Sequence, residues 1–562
     1  MSDPKASWRA RLLRGFFAGM LSASLSYIAI SIFRFPRDLQ APSTILFATA
    51  IIAVAVLACL APPPERTRFA RRSAALFIIA SMTLTPFAFS QSAFGTHDLH
   101  SVLITLRENR AGEMLTVGLG SFAERLAEHA LALLAACVAA LFLARRMRGG
   151  RVMLGVAALG LLLVNPVTAY LFRLAVPNPA FALIEPARDI RPPNIVARPA
   201  APKNLVVIYL ESIERSYRDI PATTDAFIPL ARLEDDGFSA RNIQQLAETG
   251  FTAGGLTATQ CGVPLYPRGV FHVGVKNRHN VGKDADFSDF LTGTECLGDV
   301  LAADGYVLSY MNGSALDVFS KGELFEAHGY TRLFGDAEAG APTGETRRNI
   351  WGLNDEVLFE KAAGEIDALA ATGRPFVLSM LTISTHGPDA YLDEGCPYPA
   401  AEASGLPAAI HCTGRLVAGL VERLKALGLA DKTVVAVMSD HLAMKNSLAP
   451  EIEAFEASGG QRRNLFLLIG SGRSGVATRP GTMIDIYPTL LEALGYKLAG
   501  GRANMGVSLF APDRNLTEQL GLVALNEAVQ GNFRLQEYLW DGATETRERH
   551  STLSVRRRDG GG

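Results

Sequence analysis

Three apolar runs of the chain each give way, without a break, to polar residues that suit a divalent cation. Asn204–Leu210 runs into Glu211, Phe376–Ile383 into Ser384-Thr385-His386-Gly387-Pro388, and Thr433–Met438 into Ser439-Asp440-His441. Carboxylate oxygens and imidazole nitrogens are the donors that a hard-to-borderline divalent metal takes. Glu211 alone is as readily a helix cap or solvated residue as a ligand; the set of three points to a metal. A nucleophile is expected in Glu248–Pro264 (ETGFTAGGLTATQCGVP), where Thr252 heads a small-residue stretch of helical spacing. There the helix dipole and free N–H groups favour a bound phosphate or an alkoxide. An ordinary threonine cap accounts for the same residue locally, and Thr249, Thr257 and Thr259 compete with it.

Such residues meet only if a fold brings their strand ends together. In open α/β sheets, ligands bind beyond the carboxyl ends of the strands. The three runs, with Gly305–Met311 and Asn464–Ile469, read as strands buried on both faces, and Asn354–Leu369 and Gly414–Leu427 carry apolar residues at helical spacing. This alternation specifies an α/β domain, a mostly parallel sheet flanked by helices. No internal repeat interrupts it.

The rest of the chain is of another kind. Only 19% of its 562 residues are charged, against about 25% in soluble domains, which excludes intrinsic disorder and a collagen-like chain. Residues 1–176 hold 18 Lys/Arg and 8 Asp/Glu, a net +10, and the remainder is net −11. An acidic C-terminal part argues against a nucleic-acid partner. Charge-free stretches at 15–33, 39–64, 73–97, 129–144 and 152–172 approach the roughly 20 apolar residues that span a bilayer. The fourth does so only by extending back through Leu126 and Ala127 with Glu128 at the interface; a buried amphipathic helix is the alternative there. Basic clusters precede the first span and fill every second connection (Arg66, Arg68, Arg71, Arg72; Arg145, Arg146, Arg148, Arg151). Five spans with a cytoplasmic N-terminus follow, leaving the segment from Ala175 outside the cytoplasm. No small-residue cleavage site follows Phe33, so the first span is not expected to be a removed signal peptide.

The expected organisation is a five-helix transmembrane domain over 1–176 and a semi-extended linker over 177–203, which holds seven prolines. An extracytoplasmic catalytic domain follows over 204–513, then a polar C-terminal extension over 514–562, partly disordered. Cys59 and Cys137 fall inside spans, whereas Cys261, Cys296, Cys396 and Cys412 lie in the external part. Four cysteines in an oxidising compartment read as two disulfides with three possible connectivities, of which sequence proximity favours 261–296 and 396–412. In Trp351-Gly352-Leu353-Asn354-Asp355, Asn354 or Asp355 is read as a cap of the following helix and Trp351 as a packing residue, ahead of a substrate role. Glu214 and Arg215 are read as solvated or structural.

The segments YLESIE, TGFTAGGLTATQCGVPL, KGELFEAHGY, WGLNDE, THGP and VMSDHLAMKN resemble the phosphoglycerol transferase branch of the alkaline-phosphatase/sulfatase superfamily, whose nearest members decorate osmoregulated periplasmic glucans. Lipoteichoic acid synthase is a more distant relative with the same five-span plan. The likeness covers about residues 200–500; residues 1–176 match only in span count. The resemblance implies an alkaline-phosphatase/sulfatase-like fold and a divalent metal (Mn²⁺, Mg²⁺ or Zn²⁺) held by Glu211, Thr252, Asp440 and His441. It further implies Thr252 as the residue that becomes phosphorylated and His386 as a catalytic histidine lining the substrate site. Lys321 would contact glycerol phosphate, although relatives carry Arg there. The implied partners are phosphatidylglycerol as donor, a periplasmic glucan as acceptor and the inner membrane, with no nucleic acid. Sulfatases need C-x-P-x-R, and in Cys261-Gly262-Val263-Pro264 the proline comes one position late, which disfavours sulfatase activity. The rival expectations are a phosphoethanolamine transferase acting on lipid A or another envelope glycan, which would continue SDH with GE rather than LAM, and a non-catalytic envelope scaffold or sensor.

Overall fold

The computed structural model describes residues 178–541 apart from 267–289, 292, 317, 340–344, 388–389, 397 and 399–404; before them it describes residues 8, 12–13, 15–23, 70–94, 121–146, 150–163 and 165–168. The chain divides into two compact units, Met1–Val176 and Pro177–Gly562.

In the first unit, helices run Ala70–Phe94, Ser121–Arg146 and Gly150–Leu163. Their exterior is apolar, unlike that of a water-soluble bundle. Alanines (Ala74, Ala80, Ala136, Ala139, Ala140, Ala158) are buried together with Phe77, Leu143 and Leu154, while other large apolar residues (Ile79, Met82, Leu131, Leu134, Val152, Leu159) face outward. Close approach over alanines with an apolar exterior is the arrangement of helices in lipid. Among the described residues one helix is long and apolar enough to cross a membrane, with its apolar window over Arg72–Phe89; the apolar stretches Ala127–Leu143 and Val152–Leu163 are shorter. The span expected at 39–64 lies outside the described residues, as does 15–33 beyond residue 23.

The second unit is built on eight strands: β1 (Asn204–Leu210), β2 (Phe238–Ala240), β3 (Val307–Asn312), β4 (Arg332–Phe334), β5 (Phe376–Leu381), β6 (Thr433–Ser439), β7 (Phe466–Ile469) and β8 (Gly475–Ala477). They lie side by side in the order β8-β2-β7-β6-β1-β5-β3-β4. All pairings are parallel except those of β7, which runs against β6 and β2. Alternation along β1 feeds two cores. Leu205, Val207 and Tyr209 enter one, and Val206, Ile208 and Leu210 enter the other. Both faces are therefore covered, as a central parallel strand requires. The helices that matter for the site are α1 (Thr252–Cys261), α2 (Lys321–Ala327), α3 (Asp355–Ala371) and α4 (Leu406–Ala426).

Two expected boundaries move. Residues 177–203 do not run free as a linker: Ile184 and Ile190 are buried in the first core, Phe181 is buried against Phe533, and Ile195–Ala197 pairs antiparallel with Lys497–Leu498. The prolines begin short helical turns there (Pro179–Leu183, Pro186–Asp189), a first-turn position that proline tolerates. Nor does the domain end at 513. Helices Leu516–Leu520, Leu522–Val529 and Phe533–Asp541 bury Leu516, Leu525, Val529, Leu535 and Leu539 in the same core. The disorder expected at the very end concerns residues outside those described. The disulfides are Cys261–Cys296 and Cys396–Cys412, the pairing that proximity favours.

Candidate active site

Adjacent parallel strands β6, β1 and β5 end at one edge of the sheet, with Ser439 beside Leu210 and Tyr209 beside Leu381. The residues that follow them therefore converge. Glu211 and Asp440, each no more than 2% exposed, and His441, 1% exposed, offer ligand atoms that lie within 4.8 Å of one another. His441 Nδ1 donates to the Leu442 carbonyl at 2.8 Å. That bond leaves the Nε2 lone pair facing Asp440 Oδ2 at 3.3 Å and Glu211 Oε1 at 3.7 Å, the tautomer a metal-binding imidazole needs.

The nucleophile candidates separate by their partners. Thr252, the first residue of α1, donates its hydroxyl to Glu211 Oε2 at 3.3 Å. Thr249 donates to the Leu246 carbonyl and Thr259 to that of Gly255, at 2.9 Å each, while Thr257 is fully buried. Of the four, Thr252 alone is recorded against the carboxylate. Its helix reaches this position because of Gly255: a Cβ there would lie 1.6 Å from the backbone oxygen of Asp440.

The donor set fits a divalent cation. Asp440 Oδ2 is buried with no hydrogen-bond partner, a costly state for a carboxylate oxygen in a dry site. Burial, with the Glu211 carboxylate beside it, pushes the Asp440 carboxyl well above its usual range. Burial opposes ionisation of Glu211 too, but His386 and His441, together with the hydrogen bond from Ser212, hold that carboxyl below its ordinary value. A cation between the two carboxylates would relieve their repulsion and satisfy the unpaired oxygen. The group Cys261, Cys296 and His328 is a different matter: both sulfurs are spent in a disulfide, and His328 Nδ1 bonds Asp299 at 2.7 Å.

His386 lies on the loop after β5, and its Nδ1 donates to the Gly387 carbonyl at 2.8 Å. The Trp351 ring packs on it, with centroids 4.0 Å apart. Lys321 stands at the head of α2, 3% exposed, and donates to Ser314 Oγ at 2.8 Å, just past the end of β3.

Several supporting residues escaped the sequence reading. Ser212 takes a left-handed backbone (φ 55°), gives its N–H to Asp440 Oδ1 at 2.9 Å and its hydroxyl to Glu211 Oε1 at 2.8 Å. Gln245 accepts the Leu442 N–H at 2.9 Å and donates to Thr249 Oγ1 at 2.6 Å, tying the nucleophile segment to the loop after β6. Nothing in the local pattern around Gln245 could have signalled this. Glu214 is structural but not solvated: fully buried, it pairs with Arg462 and accepts the Ala443 N–H at 3.2 Å. Asp355 does not cap α3 with its side chain, and Asn354, which occupies the cap position, makes no side-chain cap bond either. The Asp355 carboxylate points instead to the loop that carries His386, accepting the N–H groups of Ile383 (2.7 Å) and Ser384 (3.0 Å).

The sulfatase family model matches residues 203–496, a range that contains every strand and side chain of this site. The chain belongs to the sulfatase family. Within that family, Cys261 sits at the far end of α1 from Thr252 and is bonded to Cys296. It is therefore withdrawn from the formylglycine chemistry that its sequence context already disfavours. Among sulfatase-family relatives, the chain is 31% identical over 328 residues to phosphoglycerol transferase I of Escherichia coli O127:H6 (strain E2348/69), covering 57% of this chain and 40% of that one. The corresponding protein of Shigella boydii serotype 18 is 30% identical over the same length. The chain thus matches two fifths of the length of these curated relatives. Solved structures with a similar course include the lipoteichoic acid synthase LtaP of Listeria monocytogenes (16% identity, TM-score 0.47, 62% of this chain and 96% of that one). Another is the lipooligosaccharide phosphoethanolamine transferase EptA of Neisseria meningitidis (13% identity, TM-score 0.49, 90% and 98%).

Proposed function

We propose that this chain is a membrane-bound, metal-dependent phosphoglycerol transferase that moves glycerol phosphate from phosphatidylglycerol to a periplasmic glucan through a phosphothreonine intermediate. The observation that carries the reading is the Thr252 hydroxyl held 3.3 Å from Glu211 in a buried cluster with Asp440 and His441. The name of the curated relatives supplies the transferred group. A divalent ion held by Glu211, Asp440, His441 and Thr252 would lower the hydroxyl pKa and neutralise phosphate charge; the oxygen and nitrogen donors suit Mn²⁺, Mg²⁺ or Zn²⁺.

The chain's own residues do the rest. Thr252, having released its hydroxyl proton to solvent, forms a bond from Oγ to phosphorus, the phosphorus–oxygen bond to diacylglycerol breaks, and His386 delivers a proton to the departing oxygen. A glucan hydroxyl then attacks the same phosphorus. His386 takes its proton, the bond to Thr252 Oγ breaks, and Oγ regains a proton from solvent, which restores the threonine hydroxyl. Lys321 would hold the anionic glycerol phosphate. Five spans over 1–176, with the N-terminus cytoplasmic and the α/β unit periplasmic at the inner membrane, would keep the enzyme beside a donor lipid that does not leave the bilayer. The outward-facing apolar side chains of the described helices agree with that placement.

Purified full-length protein incubated with labelled phosphatidylglycerol alone should retain glycerophosphate on Thr252, read by peptide mass spectrometry. Label retained only from phosphatidylethanolamine would transfer the reading to a phosphoethanolamine transferase, and no label from either lipid would favour a scaffold.

A further inference from the structure

We infer that Asp355 is a positioning residue that locks the loop bearing His386 to the strand bearing Glu211; the inference rests on the transferase reading for its kinetic part only. Asp355 is fully buried at the first turn of α3. One carboxylate oxygen accepts two consecutive backbone donors, Ile383 N–H at 2.7 Å and Ser384 N–H at 3.0 Å, and the other accepts the Thr413 hydroxyl of α4 at 2.7 Å. The bonding is reciprocal, since the Asp355 N–H donates to Ser384 Oγ at 3.0 Å.

The loop so held faces the cluster from both sides of Glu211. Thr382 Oγ1 accepts the Glu211 N–H at 3.0 Å and Thr385 donates to the Glu211 carbonyl at 2.5 Å. His386 closes the turn by donating its N–H to the Ile383 carbonyl at 3.0 Å. Five successive residues therefore connect the carboxylate ligand candidate to the histidine, and their middle is pinned by one buried side chain. Trp351, four residues before Asp355, stacks on the His386 ring. The WGLND segment thus sets both the loop and the ring that the loop presents. A carboxylate buried among three donors is costly to remove, and displacing a reacting group by about 1 Å can cost on the order of 100-fold in rate.

The test compares Asp355→Leu with Asp355→Asn in the full-length protein. Asn keeps an oxygen for the two N–H groups and can donate its amide to the Thr413 hydroxyl; Leu keeps the volume and none of the bonds. Hydrogen–deuterium exchange should rise over residues 382–387 in the Leu variant and stay near wild type in the Asn variant. With labelled phosphatidylglycerol, kcat should fall about 100-fold for Leu with KM within about three-fold, and Asn should restore most of it. Unchanged exchange over 382–387 in the Leu variant, or equal kcat in both variants, overturns the inference. Should the Leu variant not fold, Thr413→Val removes one of the three donors, and exchange over 382–387 must rise there for the inference to stand. The exchange readout needs no turnover, so an inactive wild type would refute the transferase reading and leave the loop question to be answered on its own.

Discussion

A side chain at Gly255 would meet the backbone oxygen of Asp440 at 1.6 Å. The helix that carries the nucleophile candidate therefore rests directly on the peptide that carries a metal-ligand candidate, backbone against backbone. Gly255→Ala should cost about 3 kcal/mol or more through overpacking and abolish transfer. Gly364→Ala, at an exposed helical position with nothing within 4 Å of the added methyl, should be neutral or gain up to about 1 kcal/mol. Chemical denaturation of the two variants measures the contrast.

Removal of the proposed cation should be felt twice. Chelation is expected to stop transfer and to lower the melting temperature, because Glu211 and Asp440 are then left repelling each other in a buried site. Asp440→Asn should lose transfer while narrowing the melting difference between chelated and metal-loaded protein. Thr252→Ala should cut transfer by on the order of 1,000-fold or more yet keep the metal-dependent melting shift, since three ligands remain.

Asp393, which accepts the Ser384 hydroxyl at 3.4 Å, supplies a pH dependence of its own. Burial, then the charge of Asp355, raises its carboxyl to about 7. The folded state then holds a proton that the unfolded chain, with a pKa of about 4, has released. This contribution to stability is fully present below about pH 4 and is lost as pH rises through about 7. Asp393→Asn should flatten that stretch of the stability–pH curve, measured by thermal melts across the interval.

The disulfide Cys261–Cys296 anchors the trailing end of α1 and closes 35 residues of chain. Paired Cys261→Ala/Cys296→Ala substitution should cost about 3–4 kcal/mol. Transfer should fall with it, because Cys261 terminates the helix that Thr252 begins. Denaturant midpoints and initial rates on one preparation read both effects.

The strands and the convergence of their ends were legible because each apolar run stops where its first polar residue starts, and parallel neighbours then align those stops. Asn204–Leu210 forms its strand over the whole expected range. Residues 177–203 misled because prolines read as extension from composition alone, whereas the burial of Ile184 and Ile190 depends on a core assembled from distant residues. The 514–541 helices were missed for the converse reason: their apolar residues are split among three short helices and gain a partner only from the finished domain. Asp355 was legible as a helix start and not as a loop anchor, since its partners at 383, 384 and 413 are neighbours only in three dimensions.

The alternating interior of β1 has a further consequence. Because odd and even residues are allotted to different cores, sliding the strand by one position would turn every one of its side chains into the wrong hydrophobic compartment. The reach of Glu211 beyond the sheet edge is thereby metered by greasy residues that never see a substrate. Substitutions on the rim around that edge leave this reach unaltered, with the strand serving as the yardstick.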